Sequence, residues 1–208
     1  MKTISEKTIE RLIIYRGLLL NLVSDKVKNI FSHQLATMTG FTSAQIRRDI
    51  MSIGYSGSPV RGYDIQNLIK SLGEFIDGEE KQPVALVGLG HVGRAVLDYL
   101  KGRRPKLEIT ASFDDDPAKV DRVFQGCMCY HVNDLEKIIE KENIKVGIIA
   151  VPADEAQSVA ERMANAGIKG ILNYAPVKLN IPSGIYVENR DMTLAVEKVA
   201  YFARTASE

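Results

Sequence analysis

The hydrophobic pattern of the first eighty residues is that of short helices. From residue 6 to residue 22, apolar side chains recur mostly at intervals of three or four, which predicts a helix. A second short helix is expected over Ser32–Thr39 and should end at Gly40, because glycine readily adopts the left-handed conformation that follows a helix. Thr42 and Gln45 match a capping box, in which each side chain bonds to the other residue's backbone N–H, so a third helix is expected to begin there.

This third helix is expected to end near Gly54. The segment Gly57–Ile65 then has the glycine, serine and proline content of a β-hairpin tip. Another helical pattern covers Asn67–Phe75. The first part of the chain is therefore expected to be a small helical domain with one hairpin.

After the short charged segment Asp77–Pro83, which we interpret as a connection between domains, strands and helices alternate. The expected strands are Val84–Val87, Leu107–Phe113, Val146–Val151, Gly170–Leu172 and Ile185–Val187, and the expected helices are Val92–Lys101, Leu135–Lys141, Glu155–Ala166 and Met192–Phe202. A further short helix is expected to begin at Asp116, with Pro117 in its first turn. Alternation at this length predicts a parallel sheet with helices on both faces.

The first of these strands is followed by the sequence G-x-G-x-x-G, whose residues are Gly88, Leu89, Gly90, His91, Val92 and Gly93. An expected helix begins within it, and Asp114 ends the next strand at about the 20-residue distance typical of dinucleotide-binding domains. In such domains the first glycine makes a tight turn, the second admits the pyrophosphate, and the third lets the helix pack on the strand. The N–H groups at the start of the helix then face the anion. The sequence therefore predicts a dinucleotide site at residues 88–93.

The acidic residue indicates which dinucleotide is bound. A carboxylate at Asp114 can accept hydrogen bonds from ribose hydroxyls, and it repels a 2′-phosphate. Asp115 and Asp116 add to this repulsion. NAD(H) is therefore favoured over NADP(H) as the cofactor.

Charge is distributed unevenly along the 208 residues. The net charge is +1 overall, but residues 1–70 carry +5 and residues 71–208 carry −4. A basic N-terminal part indicates a module that binds a polyanion. No apolar run approaches the roughly 20 residues of a membrane helix, and no signal-peptide pattern is found, so we expect a cytoplasmic protein without a membrane partner.

Residues 36–46 have the spacing of a helix-turn-helix. Ala36 supplies a small residue where the helices meet, Gly40 the turn, and Ile46 an aliphatic core position in the second helix. The residues expected to face DNA are Ser43 and Gln45 on the first turn of that helix and Arg47 and Arg48 after it. The hairpin that follows would then be a wing.

Cys127 and Cys129 form a C-x-C pair on an expected strand. We expect their side chains to point to opposite faces, an arrangement that suits neither a disulfide nor a shared metal ion. A metal site would also need two more soft ligands, and only His131 is near. The pair is therefore expected to be two ordinary buried or half-buried residues, and no metal site is predicted.

Together these features resemble the Rex family of redox-sensing transcriptional repressors over nearly the whole chain. The matching stretches are Ser43–Asp49, Gly62–Asp64, the glycine loop, Phe113–Pro117, Val151–Ala153 and, most specifically, Ala166–Pro176. The resemblance implies an α/β fold with a winged helix-turn-helix domain in residues 1–80 and a Rossmann-like NAD(H)-binding domain in residues 81–190. It also implies a C-terminal dimerisation helix in residues 191–208 that is exchanged between subunits.

The resemblance further implies a repressor, not an enzyme, that acts as a homodimer. It would bind double-stranded operator DNA when NAD⁺ prevails and leave the DNA when NADH binds. By family match, Tyr99 is expected near the nicotinamide and Asp191 at the switch between domains. Pro152 joins the expected cofactor-binding residues, and Tyr63 joins the expected DNA-binding residues.

The first helix departs from the family pattern. Gly17 stands where the family usually has an arginine, and Arg16 is one residue earlier. This shift bears on the salt bridge that Arg16 would make to Asp191 as part of the switch.

The wing and the glycine loop also depart from the family pattern. Pro59 and Val60 stand where the family wing has arginine and glycine, so Arg61 is the candidate for the minor-groove contact. His91 replaces an expected asparagine or arginine in the glycine loop. These changes bear on operator preference and on ligand affinity.

Two other functions remain open. One is a dehydrogenase, because Tyr174 and Lys178 have the Tyr-x-x-x-Lys spacing of short-chain dehydrogenases. Pro176 between them opposes a continuous helix, and none of the three histidines has an evident acid–base partner. The other is a paralogue that binds NAD(H), another nucleotide or coenzyme A without recognising an operator.

Overall fold

The computed structural model describes residues 4–104 and 106–206, and the chain divides after Glu80 into two compact units. The first unit is mostly helical. Its helices are α1 (Glu6–Ser24), α2 (Ser32–Thr39), α3 (Ser43–Ser52) and α4 (Ile65–Asp77), and its short strands are β1 (Asn29–Ile30) and β2 (Tyr63–Asp64). The predicted succession of short helices is therefore confirmed.

Side chains and one glycine set the ends of these helices. Ser5 caps α1 by accepting a hydrogen bond from the backbone N–H of Thr8. Gly40 ends α2 with φ 74°, which confirms the left-handed helix end. Thr42 caps α3 by accepting from the Gln45 N–H at 3.2 Å. Among the described residues the Gln45 side chain makes no return bond to Thr42, so the predicted capping box is only half formed.

One apolar core joins the helices of the first unit. The buried side chains come from all four helices, and they include Leu12, Tyr15 and Leu19 of α1, Leu35 of α2, Ile46 and Ile50 of α3, and Leu68 and Leu72 of α4. They recur at helical spacing within each element, because one face of each helix turns to the core. Ile46 occupies the core position that the helix-turn-helix spacing predicts.

The predicted hairpin forms only a minimal wing. Ser58 and Gly62 exchange two backbone hydrogen bonds of 2.7 and 2.8 Å, and this single bridge closes a loop over residues 59–61. Strand β2, which follows the loop, pairs antiparallel with β1 and not with the other side of the loop. Helix α4 already begins at Ile65. The hairpin tip predicted within Gly57–Ile65 is therefore present as this one bridge. The pairing of β2 with β1 was not predicted, because β1 lies before α2 in the chain, where local turn chemistry gives no signal.

In the described part of the second unit, one sheet holds all the strands. They are β3 (Gln82–Val87), β4 (Leu107–Asp114), β5 (Val123–Phe124), β6 (Cys127–His131), β7 (Val146–Ile149), β8 (Gly170–Asn173) and β9 (Tyr186–Asn189). Their order is β5-β6-β4-β3-β7-β8-β9, and every neighbouring pair is parallel except β5 with β6. Without β5 this is the strand order 3-2-1-4-5-6 of dinucleotide-binding folds. The predicted Rossmann-like parallel sheet is confirmed.

Helices cover both faces of this sheet. They are α5 (His91–Leu100), α6 (Leu135–Lys141) and α7 (Ala153–Asn165), and a fourth helix, α8 (Met192–Thr205), follows the last strand without packing on the sheet. Val84 and Leu86 of β3 lie in a cluster with Leu97 of α5. Ala85 and Val87, which alternate with them, lie in a second cluster with side chains of α6 and α7. The alternation places α5 on one face and α6 and α7 on the other.

The short helix predicted at Asp116 and Pro117 is absent. Asp116 does act as a cap, since its side chain accepts from the Ala118 N–H at 2.8 Å and its carbonyl accepts from the Lys119 N–H. The chain then leaves the turn at Asp121, whose φ is 60°, and enters β5. A helix cannot continue through this left-handed residue, so a single turn remains.

The prediction that Cys127 and Cys129 point to opposite faces was wrong. Side chains two residues apart on a strand share a face, and both cysteines lie in the cluster beneath α5. Both are buried and unbridged, as expected of ordinary core residues. Burial raises the pKa of Cys129 to about 11, so its thiol stays protonated at neutral pH.

Helix α8 has no core side chain. Every residue from Met192 to Thr205 is exposed, including apolar side chains such as Val196, Val199 and Phe202. Within the described residues, no helix has the length and apolar character needed to cross a membrane.

Candidate functional site

The glycine loop connects β3 to α5 through positions that exclude side chains. Gly88 has φ 93°, and a Cβ there would lie 2.6 Å from the carbonyl oxygen of Ala150. A Cβ on Gly93 would lie 1.8 Å from the carbonyl oxygen of Gly88. A Cβ on Gly90 would meet no atom within 4 Å. The outer glycines are therefore fixed by packing within the fold, whereas Gly90 leaves open space in front of the helix.

That open space belongs to a cavity of about 300 Å³ at the carboxyl ends of β3, β4 and β7. Its lining includes Gly88, Gly90, Asp114, Lys119, Pro152 and Glu155. β3 and β7 are adjacent in the sheet. After β3 the chain continues to β4 on one side of this pair, and after β7 it continues to β8 on the other side, so the cavity lies at the topological switch point. Ligands of open α/β sheets bind at this point.

Asp114 is held at the edge of this cavity by four hydrogen bonds. Oδ2 accepts from the Leu89 N–H at 2.7 Å and Oδ1 from the Asp116 N–H at 3.0 Å. The Lys119 ammonium donates to both oxygens at 3.1 Å. Burial raises the pKa of Asp114, but these donors outweigh it and hold the pKa below its usual range. The site therefore presents a fixed, ionised carboxylate.

The other predicted cofactor residues divide into two groups. Leu89 is buried and contributes its backbone, His91 and Val92 lie exposed at the start of α5, and Pro152 lines the cavity. Tyr99 is 61% exposed near the end of α5, with the Arg103 guanidinium 3.9 Å from its ring centre. Since Tyr99 follows the start of α5 by two helical turns, it is not among the residues lining the cavity.

Two cavity residues were not identified from the sequence. Lys119 and Glu155 line the same space as Asp114 and its predicted acidic neighbour Asp115. Burial, together with neighbouring carboxylates, raises the pKa of Glu155. The switch-point rule could have indicated Glu155, which lies in the first turn of α7 after β7, and the turn after Asp116 could have indicated Lys119. Among the described residues, no cluster of three or more histidine, cysteine or carboxylate side chains is arranged to hold a metal ion.

In the first unit, α2, Gly40 and α3 form the helix-turn-helix. Arg47 and Arg48 of α3 are exposed, and Ser43 and Gln45 are half-buried on its first turn. The Arg47 guanidinium donates to the Ser32 hydroxyl at 3.1 Å. Two arginines on the open face of α3 can meet phosphates or the edges of guanines.

A buried ion pair attaches α3 to α1. Arg11 donates two hydrogen bonds, of 2.7 and 2.8 Å, to the Asp49 carboxylate. The Tyr15 hydroxyl donates to the same carboxylate at 2.9 Å. Sequence reasoning did not identify this network, because its members lie in separate helices. It fixes the helix that carries the exposed arginines.

The wing loop lies next to α3. Arg47 and Met51 of α3 line an open groove of about 370 Å³ together with the loop residues Ser58 and Pro59. Arg61 is exposed on the loop. Tyr63, expected among the DNA-contacting residues, is only 6% exposed. Its ring lies where a Cβ on Gly57 would be, so Tyr63 supports the wing from below.

The two predicted switch residues have local partners. Arg16 is buried in the first unit and donates to the Asp77 carboxylate at 2.6 Å, while its Nε has no hydrogen-bond partner among the described residues. Asp191 caps α8 by accepting from the Leu194 N–H at 3.0 Å.

Two family models match the chain, one in each unit. A model described as "CoA binding domain" matches residues 79–177, and one described as "Putative DNA-binding protein N-terminus" matches residues 3–50. The first covers the Rossmann-like sheet through β8, and the second covers α1 to most of α3.

Solved structures with the same architecture include a Rex-family repressor called RSP. Its crystal structure has a TM-score of 0.85 and 27% identity, covering 100% of this chain and 97% of that one. Its complex with β-NAD⁺ and operator DNA has a TM-score of 0.90 and 28% identity, covering 100% and 95%. Its complex with β-NADH has a TM-score of 0.86.

Curated relatives match over almost the full chain. The redox-sensing transcriptional repressor Rex of Syntrophobacter fumaroxidans is 40% identical, covering 93% of each chain. Rex of Natranaerobius thermophilus is 36% identical over 94% of this chain and 90% of its own. Rex 1 of Thermotoga maritima is 35% identical over 92% of each. With both sequence units matched and the same architecture throughout, this chain belongs to the Rex family of redox-sensing transcriptional repressors.

Proposed function

We propose that this protein represses transcription in response to the balance of NADH and NAD⁺, binding operator DNA as a homodimer and leaving it when NADH binds. One observation carries the proposal: a single chain holds both an exposed arginine-bearing helix and a glycine loop with a fixed carboxylate at the switch point. RSP, which shares the architecture, was crystallised with NADH and with NAD⁺ and operator DNA.

The nucleotide site takes NAD(H). The pyrophosphate lies over Gly90 at the start of α5, where free N–H groups and the helix dipole favour an anion. Asp114 accepts the hydroxyls of the adenosine ribose. His91 and Val92 flank the pyrophosphate, and Pro152 packs against the nucleotide from the other side of the cavity.

The operator is read by α3 and the wing. Ser43, Gln45, Arg47 and Arg48 enter the major groove, and Arg61 takes the minor-groove contact that the family wing makes with an earlier arginine. Tyr63 acts indirectly, because it is buried beneath the loop that carries Arg61. The proposed site of action is the cytoplasm, because the operator DNA is located there.

Dimerisation completes both functions. The exposed apolar side chains of α8 would be covered by a second copy, which supports an exchanged C-terminal helix. Tyr99 is exposed on α5, so it would approach a nicotinamide held by the partner subunit. Arg16 and Asp191 would join the switch only if Arg16 exchanged Asp77 for a new partner, which its unbonded Nε favours.

In this proposal the bound nucleotide is a signal and does not take part in a dehydrogenase reaction. Tyr174 and Lys178 lie in an irregular segment after β8, so they do not share the helix face that a dehydrogenase pair requires. The second candidate function is a nucleotide- or coenzyme A-binding protein without operator recognition. The match to a CoA-binding family model and the Pro59-Val60 wing favour this alternative.

A gel-shift titration on the full chain tests the proposal. Double-stranded DNA is first selected from a random-sequence pool on the immobilised protein, and the selected duplex is then titrated with NAD⁺, NADH or coenzyme A. We expect the complex to persist with NAD⁺ and coenzyme A and to dissociate with NADH. Arg47→Ala should weaken DNA binding at least tenfold, whereas Lys70→Ala, an exposed change on α4, should not. Failure to select any sequence would favour the second candidate.

A further inference from the structure

The strongest feature that the proposed function leaves unexplained is Lys119. Its ammonium lies in the nucleotide cavity, 3.1 Å from both Asp114 oxygens and 3.5 Å from an Asp116 oxygen. Only 21% of its side chain is exposed. The turn that begins at Asp116 fixes it there, since the Lys119 N–H donates to the Asp116 carbonyl at 2.8 Å.

Lys119 occupies the positions that a ribose would need. A carboxylate has about four lone-pair sites. On Asp114, backbone N–H groups of Leu89 and Asp116 take two, and the ammonium bonds to both oxygens. Ribose hydroxyls can therefore bond to Asp114 only if the ammonium moves aside. The backbone donors cannot move in the same way, because they belong to the glycine loop and the turn.

Apart from Lys119, the charged residues that line the cavity are acidic. Asp115 and Glu155 line it with Asp114, and the raised pKa of Glu155 reflects burial and the nearby carboxylates Asp115, Asp154 and Asp114. Among the described residues that line the cavity, Lys119 is the one lysine or arginine. A displaced ammonium would stay beside the ribose, where its positive charge can offset a 2′-phosphate.

We propose that Lys119 is a specificity-determining residue of the nucleotide site: it is the counter-ion of Asp114, the adenosine ribose displaces it, and it then moderates the rejection of a 2′-phosphate. The inference rests on the proposed NAD(H) site and adds a named residue that sets how strongly NADH is preferred over NADPH. Two opposite effects follow from removing its charge. NADH no longer competes with an ammonium for Asp114, and NADPH loses the one lysine among the described residues that line the cavity.

The test compares NADH and NADPH affinities by calorimetry for the full chain and three variants. Lys119→Met should bind NADH as tightly as the unmodified protein or a few-fold more tightly, and NADPH at least tenfold more weakly. Lys119→Arg should keep a ratio near that of the unmodified protein, because it keeps the charge. Lys81→Met is the matched control: this exposed lysine, paired with Glu108, lies at the opposite end of β3, and its loss should change neither affinity.

A pH series provides a second readout. Without Lys119 the pKa of Asp114 should rise, so NADH affinity of Lys119→Met should fall at a higher pH than that of the unmodified protein. An unchanged ratio of NADH to NADPH affinity in Lys119→Met, or equal weakening of both, would overturn the inference and leave the NAD(H) site standing. Absence of NADH binding by the unmodified protein would overturn both.

Discussion

The glycine loop shows how single residues divide between folding and binding. Gly93 has no room for a Cβ, since it would lie 1.8 Å from the Gly88 carbonyl oxygen, whereas Gly90 has room within the protein. Alanine at position 93 should therefore disturb the fold, and alanine at position 90 should disturb only the ligand. The two substitutions separate the packing role of a glycine from its role in admitting a pyrophosphate.

We predict that Gly93→Ala lowers both the thermal unfolding midpoint and NADH affinity. Gly90→Ala should leave the midpoint within about 2 °C of the unmodified protein and reduce NADH affinity at least tenfold, because its methyl group occupies the pyrophosphate position. Thermal unfolding and NADH titration of both variants provide the measurement. Tight NADH binding by Gly90→Ala would show that the anion does not lie over this residue.

Asp114 should make the stability of the protein depend on acid pH. Its folded pKa is lowered, because hydrogen bonds from Asp116, Leu89 and Lys119 outweigh the effect of burial. A carboxylate of this kind stabilises the fold above its unfolded pKa of about 4, and the contribution is lost as pH falls through the folded pKa. Glu155 acts in the opposite sense, since its pKa is raised.

Urea unfolding of the unmodified protein and Asp114→Asn, from about pH 6 to about pH 3, isolates the Asp114 contribution. The unmodified protein should be the more stable at pH 6, and the difference should shrink below about pH 4. A difference that stays constant over this range would mean that the ionised carboxylate does not stabilise the fold.

At this scale the sequence predicted residues whose role follows from local context. The glycine loop and Asp114 were identifiable because strand, loop and helix are consecutive. Glu155 was not, because only the adjacency of β7 to β3 brings it to the cavity. Lys119 was missed because a short helix, and not the turn that aims its ammonium at Asp114, was expected after Asp116. The burial of Tyr63 was also hidden, since it depends on the pairing of β2 with β1.

Among the elements, α3 depends on a buried ion pair for its position. Arg11 and Tyr15 of α1 hold the Asp49 carboxylate from one side of the helix, and the exposed arginines lie on the other. Removing one member of a buried pair leaves the other charge uncompensated, at a cost of about 3 kcal/mol.

We therefore predict that Asp49→Asn reduces the free energy of unfolding of the first unit by about 3 kcal/mol and weakens operator binding, although Asp49 does not face the DNA. Glu74→Gln is the matched control, because its pair with Lys70 is exposed and should contribute less than about 0.5 kcal/mol. Urea unfolding and gel shift measure the two effects. Equal losses in the two variants would contradict the anchoring role.

Helices and strands were predictable where the apolar period alone decides them. The bounds of α1, α2, α5 and α6 follow from residues within each element. The turn at Asp116 was expected to continue as a helix, but the left-handed Asp121 ends it after a single turn. The pairing of β2 with β1 beside the wing was not predictable from local sequence, because the two strands are far apart in the chain. The shared face of Cys127 and Cys129 follows from the two-residue period of a strand alone, so the expectation of opposite faces was wrong on local geometry.

At the scale of the whole molecule, α8 is the one α-helix of the described residues that has no buried side chain. Its apolar residues Met192, Val196 and Val199 recur at helical spacing and are all exposed. A surface of this kind indicates association, and the proposed homodimer supplies it.

Val199→Asp should weaken the dimer at least tenfold, because it places a charge where a second copy would cover a side chain that is now 68% exposed. Lys198→Gln, an exposed polar change on the same helix, is the control. Sedimentation over a range of concentrations measures the association. A Val199→Asp protein that dimerises as tightly as the control would exclude α8 from the interface.

The division into an N-terminal helical part and a parallel sheet could be predicted because the apolar period changes near residue 80. The strand order could not, since sequence pattern does not specify which parallel strands are neighbours. The order β6-β4-β3-β7-β8-β9 is what creates the cavity beside the glycine loop.

The central claim is that NADH and operator DNA compete energetically for one protein. Binding linkage requires that if NADH weakens operator binding, the operator weakens NADH binding by the same factor. Calorimetric titration of NADH into the free dimer and into the operator-bound dimer measures this directly. We predict at least a tenfold weaker affinity for the operator-bound dimer, a difference of about 1.4 kcal/mol. Equal affinities in the two titrations would contradict it.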